Sequence, residues 1–213
     1  MRSINRILPE PQILADRGVR WLANFIASGN SRPDGSKYGH IDIRRDLNSM
    51  SLHKCFYCET KLIGLQKEVD HFIEVSVDKT LAFNWDNLYL SCVNCNKKLD
   101  AEKIPIDQVL DPCKNSDAEI EEHLTFVDEI ITSRNDSPIG LQTIRKYRLD
   151  TETLELKRTK QTKLFYKTLV EILKKQQAEN RNDLTLEEME IINHFKKLDQ
   201  PYSLMFKILI SKL

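Results

Sequence analysis

Cys55 and Cys58 form one Cys-x-x-Cys pair and Cys92 and Cys95 a second. Between the pairs stand Asp70-His71 and Asn87, and Asn96 follows the last of these cysteines directly. Thiolate suits zinc, which takes four ligands in a tetrahedron. Two pairs presented from tight turns supply all four, so Cys55, Cys58, Cys92 and Cys95 are read as a structural zinc site. Asp70 and Asn96 offer oxygen, which suits a hard cation such as Mg²⁺ or Mn²⁺ rather than zinc. His71 carries an imidazole that titrates near about 6.5 when free, so it can serve as a base near neutral pH. A hard cation beside such a base is equipment for cutting a phosphodiester.

Each residue also has a plainer reading. The chain has five cysteines, an odd number, and Met1–Asn5 shows no apolar signal region, so metal ligation is favoured over a disulfide framework and the expected compartment is cytoplasmic. The alternative is four reduced core cysteines. An Asp-His pair can be surface, Asn87 can be turn chemistry within Asn84–Asn87, and Asn96 can cap a helix that it opens. Their joint spacing between two cysteine pairs favours a site.

The elements that must position these residues follow from periodicity. Gln66–Phe72 reads as a short strand, with Val69 and His71 on one face and Asp70 and Phe72 on the other. Leu88–Leu90 reads as the returning strand, and Cys92 to about Leu99 as a knuckle opening into a helix. The expected unit is strand, loop, strand, helix.

That segment resembles the HNH endonucleases, the ββα-metal group, in a zinc-braced version. The resemblance implies that His71 is the general base, that Asp70 and Asn96 hold one divalent cation (Mg²⁺ or Mn²⁺), and that Asn87 pins the loop between the strands. Relatives often carry Pro three residues after the His. Here Glu74 stands there, read as a solvent-facing loop residue with a carboxylate near the metal as the alternative. Further stretches, including Lys103–Ile106, Asp111-Pro112, Glu122–Phe126 and Arg148–Asp150, are similar to the PtuB-like nuclease subunits of Septu anti-phage systems and to related retron proteins. That likeness implies a PtuA-like ABC-type ATPase as partner. It implies DNA as substrate or, in certain retron systems, tRNA. The remaining alternative is a zinc-braced nucleic-acid-binding subunit without catalysis.

The expected fold class is α+β, mostly α-helical, with flanking helical segments at 1–54 and 106–213 around a core at 55–105. Helices are expected at about Pro11–Ala27, Ile41–Met50, Ile139–Tyr147, from Asp150 or Thr151 to about Ala178, after Thr185 through a capping box, and at Tyr202–Leu213. Trp21 and Phe25 are read as core, and His40 and His53 as structural or solvated. Cys113 is read as a free thiol, Glu119–Glu122 as a solvated acidic face, and Leu124–Thr132 as a strand. The terminal helix is apolar nearly all round, which means burial inside the chain or docking in a complex.

Thirty-two Lys and Arg balance 32 Asp and Glu, which argues against a general polyanion binder. No apolar run is long enough for a membrane span. Positive charge is uneven, however. Lys157, Arg158, Lys160, Lys163, Lys167, Lys174 and Lys175 enrich one helix, and Lys97 and Lys98 flank the proposed cation. These residues either hold a phosphate backbone or form a solvated face.

Overall fold

A computed structural model describes residues 1–213. Helices α1 (Gln12–Ala27), α2 (Gly35–Tyr38) and α3 (Ile41–Met50) come first. The hairpin β1 (Glu68–His71) and β2 (Leu88–Ser91) follows, then α4 (Asp117–His123) and a second hairpin, β3 (Leu124–Val127) and β4 (Ile130–Ser133). Helices α5 (Pro138–Tyr147), α6 (Glu152–Ala178), α7 (Leu186–His194) and α8 (Ser203–Ile210) complete the chain. The fold is α+β, with helices over about half of the chain.

Pro11 opens α1, whose Leu14, Trp21 and Phe25 are buried on one face. Trp21 meets Phe83 of the loop between β1 and β2, with ring centroids 5.7 Å apart. His40 caps α3 by accepting from the Asp42 amide, so it has a structural task. Ser116 with Glu119 and Thr185 with Glu188 form complete capping boxes on α4 and α7. Glycine is required at Gly140 of α5, because a Cβ there would lie 2.1 Å from the His123 carbonyl oxygen.

Both hairpins are antiparallel, pairing Glu68 with Ser91 and His71 with Leu88 in the first, and Leu124 with Ser133 in the second. The stretch read as one strand from Leu124 is therefore two strands, reversed at Asp128, whose φ is 51°. Within this turn the Arg158 side chain donates to the Glu129 carbonyl, at 2.6 Å. Arg158 also donates to the Leu149 carbonyl at 3.0 Å and is buried, so it is a structural tie and not part of a phosphate-binding face.

Forty-two buried apolar residues drawn from all three stretches of the chain form one cluster. Behind the first hairpin, Tyr57 stacks on Tyr147 at 4.1 Å and Tyr89 on Phe72 at 4.8 Å. At the other end, Phe165 of α6, Phe195 and Phe206 of α8 meet pairwise at 5.1 to 5.3 Å. Leu204, Met205, Phe206, Ile208 and Leu209 of α8 are buried within the chain, which answers the question left by that helix's composition. No helix is long and apolar enough to cross a membrane.

Candidate active site

The four knuckle thiols come together. The ligand sulfurs of Cys55, Cys58, Cys92 and Cys95 all lie within 4.8 Å of one another, and all four residues are buried. Sulfurs about 2.3 Å from a zinc ion in a tetrahedron stand about 3.8 Å apart. Cys58 Sγ and Cys92 Sγ are 3.7 Å apart, so the donors fit a metal such as zinc. The Cys95 amide donates to Cys92 Sγ at 3.5 Å, and Thr60 Oγ1 lies 3.1 Å from Cys58 Sγ. Such contacts orient the thiolates and offset their charge. Cys113, the fifth cysteine, is free and stands apart from this cluster.

Beside the knuckle lies a cleft lined by Asp70, His71, Glu74, Asn96 and Lys98, together with Arg32 and Tyr38. Asp70 and His71 come from β1. The Tyr57 hydroxyl donates to Asp70 Oδ2 at 2.6 Å, and Tyr57 is itself an inner residue of the first cysteine pair. The metal-binding turn and the carboxylate are thus coupled by one side chain. Asn96 stands in the turn after the second pair, with its Oδ1 3.4 Å from Ser91 Oγ.

Asn87 closes the loop between the strands. Its Oδ1 accepts from the Ile73 amide at 2.8 Å, and its Nδ2 donates to the carbonyls of Ile73 (3.0 Å) and Leu81 (3.3 Å). Asn87 is buried, so all three bonds are shielded from water. The Leu81 bond fixes the approach to Ala82, whose carbonyl oxygen is 2.9 Å from His71 Nε2. In a neutral ring that carbonyl requires the proton on Nε2 and leaves Nδ1 as the acceptor. Tyr38 packs on the imidazole at 4.7 Å. Burial pulls the His71 pKa below its ordinary value, against the opposing pull of the Ala82 bond and the Asp70 charge, which favours the neutral ring at neutral pH.

Three expectations are corrected at the cleft. The helix expected from Cys92 to Leu99 is a single 3₁₀ turn, Cys95–Lys97. Its continuation fails because tertiary partners claim the backbone: the Leu99 amide donates to the Lys146 carbonyl, and Lys146 Nζ takes the carbonyls of Leu99 (3.2 Å) and Ile104 (2.8 Å). Lys98 is not a free phosphate ligand. Its side chain is 6% exposed, and Nζ donates to Asp70 Oδ2 at 2.9 Å and to the carbonyls of His71 and Phe72. Glu74 does not face solvent. Its carboxylate is 14% exposed and pairs at 2.8 Å with Lys146 Nζ, which is fully buried. Glu74 Oε2 has no partner in the protein.

Sequence reasoning did not anticipate Tyr57, Lys146 or the inward Lys98. The one available signal was an aromatic residue with a hydroxyl inside a metal-binding turn. A lysine in an amphipathic helix gives no sign that it will be buried.

Besides the His71 imidazole, the cleft's candidate ligand atoms are oxygens. Asp70 Oδ2 already receives two donors while its Oδ1 makes no hydrogen bond, the Asn96 amide oxygen has only the long Ser91 contact, and Glu74 Oε2 is unpaired. Oxygen atoms of this kind are the type that a hard divalent cation takes. The HNH endonuclease family pattern matches residues 55–102. The chain carries an HNH endonuclease domain. Two proteins named Septu protein PtuB are similar to the chain. The one from Bacillus thuringiensis is 36% identical over 101 residues, covering 45% of this chain and 37% of that protein. The one from Bacillus mycoides (strain KBAB4) is 28% identical over 168 residues, covering 64% and 56%. The matches therefore span less than two thirds of either relative. The HNH pattern covers every cysteine of the cluster, both strands and the Asn96 turn.

Proposed function

We propose that the protein is a metal-dependent phosphodiesterase of the HNH type that cuts DNA and serves as the nuclease subunit of an anti-phage complex in the cytoplasm. The observation that carries the reading is the His71 arrangement: an imidazole held by the Ala82 carbonyl, next to Asp70 in a cleft shared with Asn96. In this reading His71 Nδ1 takes a proton from water as the water oxygen bonds to phosphorus in line, and the P–O bond opposite breaks. Asp70 and Asn96 hold one Mg²⁺ or Mn²⁺, and Asn87 is a positioning residue that holds the loop behind His71. A cation held by Asp70 and Asn96 would supply charge neutralisation for the phosphoryl and departing oxygens. Structural Zn²⁺ in the four-cysteine cluster keeps β1 and the Asn96 turn in register. The likeness to Septu proteins supports a PtuA-like ABC-type ATPase as partner, since a chain of zero net charge has little general attraction for polyanions.

The test is incubation of the purified chain with supercoiled plasmid and, separately, with tRNA, each with Mg²⁺, Mn²⁺ or chelator. Nicking of the plasmid that needs the cation is the expected result. Cutting of tRNA alone would move the substrate to RNA. No cutting of either, alone or with a co-purified ATPase, would leave a binding subunit.

A further inference from the structure

We infer that the outer face of α6 is a track for the backbone of a nucleic acid, entered from the cleft across the knuckle. The inference rests on the phosphodiesterase reading, which it extends from the cutting point to the flanking strand.

At 3.6 residues per turn, Lys157, Lys160, Lys163, Lys167, Lys174 and Lys175 fall within about a third of the helix circumference. Leu154, Phe165 and Ile172 define the opposite, buried face. Glu171 is the one acid inside the lysine arc, and its contact with Lys167, at 3.9 Å, is the one ion pair there. Lysines three and four residues apart repel one another. A merely solvated surface intersperses acids to relieve that repulsion. This face relieves it only in part, through Glu171 and through Glu187 and Glu190 of α7 in the groove at its edge, although the chain as a whole carries as many acids as bases. An external polyanion would relieve it.

The track also has a geometric connection to the chemistry. Lys97, Arg148 and Lys157 line one depression on the outer side of the knuckle, together with Asn94. None of these three cations has an acidic partner within ion-pair distance, in contrast to Lys98 one residue away. Asn94 fixes the knuckle to the start of α6: its Nδ2 donates to the Arg148 carbonyl at 3.1 Å, and its Oδ1 accepts from Thr151 Oγ1 at 3.1 Å. Asn96 and Lys97 are consecutive residues of one 3₁₀ turn, the first lining the cleft and the second the depression. A strand leaving the cleft therefore meets Lys97, then Arg148 and Lys157, then the α6 lysines. From Lys157 to Lys174 the helix runs about 25 Å, the span of about seven phosphates of one strand.

The experiment uses the full chain with His71→Ala, so that the probe is not cut, and a second protein that adds Lys160→Gln, Lys163→Gln, Lys167→Gln and Lys174→Gln. Binding of a short labelled DNA duplex is followed by anisotropy between about 50 and 200 mM salt. The expected result is an affinity at least about tenfold lower in the lysine variant at low salt, with the slope of log K against log salt shallower by about three to four. Equal affinity and slope in the two proteins, or no salt-dependent binding by either, would overturn the track. A second readout separates this idea from the reading on which it rests. With His71 intact, hydrolysis of bis(p-nitrophenyl) phosphate, too small to reach α6, should be unchanged by the four substitutions. Absence of that hydrolysis in every protein, with duplex binding still lost in the lysine variant, would sink the phosphodiesterase and leave the track. Equal loss of small-substrate hydrolysis and of binding would show that the substitutions act on the cleft, and would overturn the track.

Discussion

Lys98 and Lys146 sit beside the cleft with their ammonium groups buried against carboxylates and carbonyls, whereas Lys160, Lys163 and Lys174 stand on the solvent face of α6 with no acidic partner. The same side chain does opposite work in the two places. In the cleft, charge is fixed and shielded, and it holds Asp70, Glu74 and the turn after the knuckle in position. On α6, charge is exposed to solvent, while stability comes from the buried apolar residues on the other face. A substitution near the cleft should therefore be expensive for the fold, and one on the α6 face nearly silent.

The largest contrast lies at the metal ligands. Cys58→Ala removes one of four thiolates, and structural zinc contributes on the order of 10 kcal/mol or more to folding of small metal modules. The variant should lose bound zinc by elemental analysis and lose hydrogen-exchange protection in β1 and β2. Retention of both would mean that the four cysteines are ordinary core.

Lys146→Met comes next. It takes the nearer of two cations from Glu74, leaving Lys98 Nζ at 3.9 Å, and frees the carbonyls of Leu99 and Ile104. Breaking a buried pair from one side costs about 3–5 kcal/mol, to be read as a lower midpoint in denaturant. A shift below about 1 kcal/mol would place this lysine with the surface class.

A pH-dependent effect distinguishes the α6–α7 connection. Arg181 donates to both oxygens of Glu188, and with the Thr185 amide it holds that carboxyl down to a pKa of about 2. The folded pKa lies below the ordinary carboxylate value of about 4.5, so the stabilisation is present above that value and is lost as pH falls towards about 2. Hydrogen-exchange protection of α7 should fall across that interval in the native chain. Glu188→Gln should start lower at neutral pH and show a smaller fall; an identical pH response in both would remove the pair from the account.

The smallest expected effect is Lys163→Gln on α6, which should leave the unfolding free energy unchanged within about 0.5 kcal/mol. A loss several times larger would show that the helix's outer face is covered within the folded chain.

The same contrast separates what was legible in the sequence from what was not. The helices α1, α5, α6 and α7 were legible because apolar period and capping residues are local properties, and Thr185 with Glu188 formed the capping box its spacing implied. The cysteine pairs were legible because thiolate ligation constrains both residue type and spacing, and the β1–β2 hairpin brings Asp70, His71 and Asn96 to one cleft, with Asn87 in the loop behind. Lys98, Lys146 and Glu74 were not, since a charged side chain is buried only when a distant partner is present. Lys146 reaches Glu74 across 72 residues of sequence. The helix expected after Cys92 failed for the same reason, its backbone being claimed by α5. Thr151 begins α6 as expected, but its hydroxyl bonds to Asn94 of the knuckle instead of capping the helix.

The central claim is that chemistry at His71 is separable from the fold that positions it. The direct measurement is the single-turnover rate of Mn²⁺-dependent cleavage of a labelled DNA by His71→Ala and by the native chain, at equal zinc content and equal melting midpoint. Loss of a general base predicts a fall of about 10² to 10⁴-fold. A His71→Ala rate within about threefold of the native chain would contradict the claim and place the base elsewhere in the cleft.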